Sequence, residues 1–182
     1  HTFPPRRSSD LLSTTPDLTA AVAVFPDERG PGCSVLAQFF CPQDRIHTRV
    51  ARDRVPYDEW ARRGFLLATP GPTIDYELVR AHLLDWQNRF EVRMVAYDPW
   101  NAVDLVARLE KLDGFTCVKM RQGKATLSAP SKALEKAIHE KPIRHDGHPI
   151  IKRHIGNASI DIDNAGTIQP SKAHSTERIA GV

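Results

Sequence analysis

Phe65-Leu-Leu-Ala68, Val92-Arg-Met-Val-Ala-Tyr97 and Phe115-Thr-Cys-Val-Lys-Met120 are three short β-compatible runs, and what separates them decides the fold. Between the first two, Leu78, Val79, Leu83, Trp86 and Phe90 recur at helical spacing, which predicts an amphipathic helix over 76–90. Asp75 stands at its mouth and suits the N-cap. Between the second and third, Ala102, Leu105, Val106, Leu109 and Leu112 define another helix, with Asn101 as its cap and Gly114 closing it. Ser131 to Glu140 reads as a third helix. Strand, helix, strand, helix, strand, helix predicts an α/β layer with parallel strands.

Upstream, Ala20 to Phe25 and Val35 to Phe40 are apolar runs around Gly30-Pro31-Gly32, a β-hairpin signal. Residues 1–17 read as an irregular segment, because Pro4, Pro5 and Pro16 remove backbone donors and Arg6 to Ser9 offer nothing to bury. Asp44 to Arg63 is charged and reads as helix and loop anchored by Tyr57 and Trp60. Downstream, Asp161 to Gly166 reads as a turn between two short β segments, 158–162 and 167–168.

The 182 residues suffice for one domain with a real core, and 41% hydrophobic with 26% charged residues is ordinary globular composition. The longest uncharged apolar run has six residues, against the roughly 20 that span a bilayer, so neither a transmembrane helix nor a secretory signal is expected. Cys33, Cys41 and Cys117 form no CxxC pair, which favours a reducing compartment over a disulfide framework or structural zinc. The net charge of +3 is unevenly spread: residues 1–113 carry 14 Lys/Arg against 16 Asp/Glu, residues 114–182 carry 11 against 6. A basic C-terminal third suits a polyanion such as DNA, but charge alone favours an ordinary solvated face. The cations expected to meet phosphate there are Lys124, Lys132, Lys152, Arg153 and Lys172.

Asp98 is the strongest single candidate for chemistry. It follows a strand at its C-terminal end, where open α/β sheets place ligands, and Pro99 stops the strand; an Asp before Pro is also a common turn residue. Asp10 and Asp17 flank Ser13-Thr-Thr15 and could share a hard divalent cation, although Ser, Thr, Asp and Pro together also spell a loop. His145, His148 and His154 invite a metal reading, but Gly147 and Pro149 interrupt the helix such a site would need, so a hydrogen-bonded loop is expected. Gly123-Lys124 lacks the remainder of a P-loop, and no GxSxG elbow is present.

Arg54-Val-Pro-Tyr57, Trp60, Thr69-Pro-Gly71, Ile74-Asp-Tyr76, Ala96-Tyr-Asp-Pro-Trp100 and Arg121-Gln-Gly123 form one ordered series. Leu127-Ser-x-Pro-x-Lys132, Leu134-Glu135, His145-x-Gly-x-Pro149, Asn157, Asp163-x-Ala-Gly-x-Ile-x-Pro170, Lys172 and Ser175-Thr-Glu-x-Ile179 continue it. The series resembles the nuclease domain of the large terminase subunit of tailed bacteriophages over about residues 10–182.

The resemblance implies an α/β, ribonuclease H-like fold: a mixed β-sheet flanked by helices, forming a nuclease domain over 18–182. It implies metal-dependent cleavage of double-stranded DNA during genome packaging in the cytoplasm of a bacterial host. Small terminase subunit and portal would be partners, and Mg²⁺ or Mn²⁺ the cofactor in a two-metal site. Asp10-Leu-x-Ser13 loosely matches the family's first carboxylate, Asp17 a further one, and Asp98 the second essential one. Asp10 and Asp98 are thus the expected catalytic residues, and Asp10, Asp17 and Asp98 the expected metal ligands.

The sequence departs from that pattern. The family's Ile-Asp-Gly motif reads Ile179-Ala180-Gly181, so a third carboxylate is replaced by a methyl group. Phe3 to Ser9 cannot make a central strand, so the first strand is expected to be degraded, and Pro16 is one residue extra. No motor ATPase motif is present. Activity is therefore expected to be impaired, in an isolated nuclease module or a prophage remnant. The alternative is a non-catalytic module that binds DNA or the packaging complex.

Overall fold

The computed structural model describes residues 18–30, 32–99, 102–121, 123–140 and 143–171. The hairpin expected from the two apolar runs is β1 (Thr19–Pro26) against β2 (Cys33–Pro42), antiparallel, with Thr19 opposite Phe40 and Pro26 opposite Cys33. β2 is the organising strand. β1 occupies one of its edges along most of its length. The other edge is shared in parallel: β3 (Leu66–Thr69) takes the C-terminal half, Phe39 to Pro42, and β6 (Ile143–His145) takes the start, Cys33 to Val35. β6 is too short and too polar to have been visible as a strand in the sequence.

The two faces of this sheet follow from the period of two along a strand. Phe39 and Cys41, on one face, are fully buried with Leu66 of β3. They pack under α1 (Ile46–Asp53), α2 (Tyr57–Arg62) and α6 (Pro149–Asn157) through Ile46, Tyr57, Trp60, Ile150 and Ile151. Tyr57 and Trp60 are thus the anchors their sequence context suggested. Tyr57 also donates its hydroxyl proton to Asp53 Oδ2 at 3.2 Å, closing the α1–α2 corner. The opposite face belongs to α3 (Tyr76–Arg89): the Phe40 ring meets His82, His82 meets Trp86, and Phe25 meets Phe90 just beyond the helix.

β4 (Val95–Tyr97), α4 (Val103–Lys111) and β5 (Cys117–Lys119) make the expected parallel strand–helix–strand unit. Both strands are shorter than their sequence runs, and β4–β5 is a ladder separate from that of β1–β2–β3 among the described residues. Arg80 fastens α3 to the end of α4: its Nε and Nη2 each donate to the Asp113 carboxylate at 2.7 Å, and its Nη1 donates to Glu77 at 3.0 Å. The bond from Arg80 holds the Asp113 carboxyl below the usual carboxylate range. Gly114 follows at φ +73°, the left-handed turn that ends α4.

Several of these expectations change in the fold. α5 runs over Lys124–Glu140, not from Ser131, and passes through Pro130. Proline removes one helical donor, but the turn before it still closes, since Leu127 donates to the Gly123 carbonyl at 2.9 Å. The position before α4 is filled by Ala102 with no side-chain cap, and Asn101 lies outside the described residues. Asp161 is not a turn residue but part of β7 (Ser159–Ile162), which pairs antiparallel with β8 (Ile168–Ser171). The turn itself is built by Asp163, whose Oδ1 accepts from the Ala165 and Thr167 backbone.

Pro149 and Gly147 do not prevent a helix. Pro149 opens α6, a position where its missing donor costs nothing. His148 caps it: Nδ1 accepts from Ile150 N–H at 3.3 Å, while the ring lies between Phe39 and Phe65. Burial pushes the His148 imidazole below its ordinary value, against the pull of Asp146, and burial does the same to His82. A histidine held neutral in the fold takes its proton more readily when unfolded. Stability is therefore complete above about pH 6.5 and falls as the pH drops from there through the folded-state value, by up to about 1.4 kcal/mol per pH unit for each excluded proton. Urea unfolding at pH 7.5 and 5.5 is expected to show this loss, and His148→Gln to reduce it.

Candidate active site at the C-terminal ends of the parallel strands

β3 ends at Thr69, β4 at Tyr97 and β5 at Lys119, and each is followed by a helix, α3, α4 or α5. The connections 70–75, 98–102 and 120–123 therefore leave from strand C-termini, the side of an α/β sheet where ligands bind. Thr69 is buried and its Oγ1 donates to the Thr73 carbonyl at 3.3 Å, which shapes the first connection. Asp75 ends that connection as the cap foreseen from its position: its Oδ1 accepts from Glu77 N–H at 2.9 Å. Asp75→Ala is expected to cost about 1 kcal/mol of stability, read from the urea midpoint.

Asp98 is the first residue beyond β4 and its side chain is exposed. The strand is held up to that point, because Met120 N–H donates to the Tyr97 carbonyl at 2.8 Å and Val95 N–H to the Thr116 carbonyl at 2.8 Å. The fold thus presents a carboxylate on a rigid strand end, facing water. Its oxygen atoms are hard donors of the kind Mg²⁺ and Mn²⁺ prefer. Asp10, Asp17, Lys172 and Ala180 lie outside the described residues, as do Phe3 to Ser9. Among the described residues no three His, Cys, Asp or Glu side chains come close enough to hold a metal ion.

The expected phosphate-binding cations fall on two elements. Lys124 and Lys132 are on α5, and Lys152 and Arg153 are on α6. Lys132 and Lys152 are exposed. Lys124 is engaged internally: its Nζ lies 3.0 Å from Asp161 Oδ2, so part of its charge is already compensated. Sequence reading missed the capping of α6 by His148. The available signal was Pro149, a residue favoured in the first turn of a helix.

Residues 8–182 match the family model described as the endonuclease domain of the terminase large subunit, a span that includes Asp10, Asp17, Asp98 and Ala180. The chain is 31% identical over 173 residues to the terminase large subunit of Enterobacteria phage HK97, covering 94% of this chain and 34% of that protein. It is 27% identical over 154 residues to protein YmfN of Escherichia coli K12, covering 81% of this chain and 34% of that one. The crystal structure of the HK97 bacteriophage large terminase superposes with a TM-score of 0.82 at 30% identity, over 91% of this chain and 34% of that one. The chain thus spans about a third of the length of the curated relatives it matches. Its mixed sheet with helices on both faces is the ribonuclease H-like arrangement of a terminase nuclease domain. By the family match along nearly its whole length and by its fold, the chain belongs to the endonuclease-domain family of terminase large subunits.

Proposed function

We propose that this chain is the DNA-cleaving part of a terminase large subunit, acting on double-stranded DNA during genome packaging in the cytoplasm of a bacterial host. The observation that carries this reading is Asp98, exposed at the C-terminal end of a parallel strand within a family match over residues 8–182. In this reading Asp98, Asp10 and Asp17 hold two divalent ions, Mg²⁺ or Mn²⁺. Bound there, the ions supply Lewis acidity at the scissile phosphate and stabilise the leaving oxygen. Asp98 contributes a fixed oxygen donor, oriented by the β4–β5 ladder. Lys132, Lys152 and Arg153, with Lys172 and the partly compensated Lys124, draw the DNA backbone towards the domain. By the same reading, small terminase subunit and portal are the protein partners.

Ala180 stands where a third carboxylate is expected, which weakens charge compensation at one ion and lowers the cleavage rate. The test is nicking and linearisation of supercoiled plasmid with Mn²⁺, comparing this chain with Ala180→Asp. Cleavage that rises at least about tenfold in Ala180→Asp, and that EDTA abolishes, supports the reading. If neither protein cuts while duplex DNA still binds in a salt-dependent way, the nuclease reading fails and a non-catalytic DNA-binding module replaces it.

A further inference from the structure

α1, α2 and α6 share one side of the sheet, where Phe39 and Cys41 are buried. α3 covers the other side, and α4 is tied to it through Arg80 and Asp113. The charges divide in the same way. Residues 43–63 and 149–157, which form the first layer, carry eight Lys/Arg against four Asp/Glu. Residues 75–113, which hold α3 and α4, carry five against eight. The sheet therefore separates a basic face from an acidic one. Sequence order conceals this, because 43–63 belongs to the part of the chain that is acidic as a whole.

Three cations of the basic face have no acid of their own. Arg54, Arg63 and Lys152 are exposed, and none of them meets a carboxylate among the described residues. Arg52 and Arg62 are paired with Asp53 and Glu59, so Asp44 and Asp58 are the acids left without a cation here among the described residues. The Arg63 guanidinium lies 4.9 Å from the centre of the Phe65 ring, which orients it without neutralising it. Arg54 follows α1 at φ +54°, and among the described residues no other non-glycine residue has a positive φ. Glycine is the residue suited to that position. The fold thus keeps an arginine where its backbone is strained and its charge serves no acid of the domain. The face also adjoins the Asp98 end of the molecule. Asp44 N–H, in the turn leading into α1, donates to the Gly71 carbonyl at 3.4 Å, within one of the three connections that leave strand C-termini.

Among the described residues this face offers a metal ion no donor set. An apolar partner segment would bury Arg54, Arg63 and Lys152 without compensation. A regular polyanion matches them, with one phosphate to each cation.

We propose that the α1–α2–α6 face is a track for the phosphate backbone of duplex DNA, with Arg54 and Arg63 as contacts beyond Lys152. The proposal rests on duplex DNA being the ligand of this domain, but not on cleavage. Arg54 and Arg63 position the duplex and do not read its sequence, since they meet phosphate rather than base edges.

The test is fluorescence anisotropy of a labelled duplex of about 20 base pairs, roughly two helical turns, titrated with the whole chain in EDTA. Arg54→Gly suits the positive φ, so urea stability should hold or rise while the dissociation constant rises about fivefold or more. Arg54→Gly with Arg63→Gln should weaken binding about thirtyfold and lower the salt slope by about two. Arg93→Gln with Lys111→Gln removes the same charge from exposed positions of 75–113 and should change affinity by less than about threefold. The proposal is overturned if the first pair binds like the parent, if the second pair weakens binding equally, or if duplex binding is absent or independent of salt. It is also overturned if Arg54→Gly loses urea stability in step with affinity, which would mark a structural cap. Polyglutamate binding as tightly as the duplex would overturn it in favour of an acidic protein partner. Absence of plasmid cleavage with this binding pattern intact supports the proposal and overturns the nuclease reading alone.

Discussion

Asp98→Ala is expected to lower Mn²⁺-dependent plasmid cleavage by about three orders of magnitude or more, the effect of losing several kcal/mol of charge stabilisation at the phosphate. The same substitution should leave the fold intact. The Asp98 side chain is exposed and lies outside the β4–β5 ladder, which is held by backbone bonds on either side. Exposed positions of this kind usually change stability by no more than about 0.5 kcal/mol. Activity and stability are therefore expected to separate, and that separation marks a metal ligand rather than a structural turn residue. The measurement is made in the Ala180→Asp background, where cleavage is expected to be strongest. Cleavage undiminished by Asp98→Ala would remove Asp98 from the site.

Phe39→Ala should do the reverse. Phe39 is fully buried in the middle of β2, and its ring meets both His148, at 5.2 Å between centroids, and His154, at 5.3 Å. It joins the sheet to α6 as well as to α1 and α2. Truncation removes a large apolar side chain and leaves a cavity that β2, paired along both edges, cannot collapse to fill. The expected cost is about 3–5 kcal/mol, a large share of a typical domain stability of about 5–15 kcal/mol. The urea midpoint should fall by at least about 1 M. A loss below about 1 kcal/mol would show that this face of the sheet is not the principal core.

Much of the framework was legible in the residues because its signals are local. Leu78, Val79 and Trp86 mark a helix wherever the chain goes, and Asp75 caps it through a bond to Glu77 two residues away. The hairpin was legible because two apolar runs flank a Gly-Pro-Gly turn. The first half of α5 was hidden by Pro130, read as a boundary although one missing donor on an exposed helix can be tolerated. α6 was hidden by Gly147 and Pro149, which look like breakers but together form a helix entrance. The position of Asp98 at a strand end was legible. Which other groups join it was not, because a site assembled from distant segments leaves no periodic trace between them, and Asp10 and Asp17 lie outside the described residues.

The sequence by itself determined the N-terminal hairpin, the strand–helix alternation from Phe65 to Glu140, the charge asymmetry and, through the ordered motif series, the terminase nuclease family. Only the tertiary structure decided that β2 shares one edge between β3 and β6, and that Phe39 and Phe40 serve opposite cores. It alone decided that Lys124 faces Asp161, and that the arginines of 43–63 share a helical layer with Lys152. The reason is physical. Backbone propensity and apolar periodicity act between residues a few positions apart, and a single stretch of sequence displays them. Edge pairing, charge compensation and cavity formation depend on which distant segments the packed core brings together.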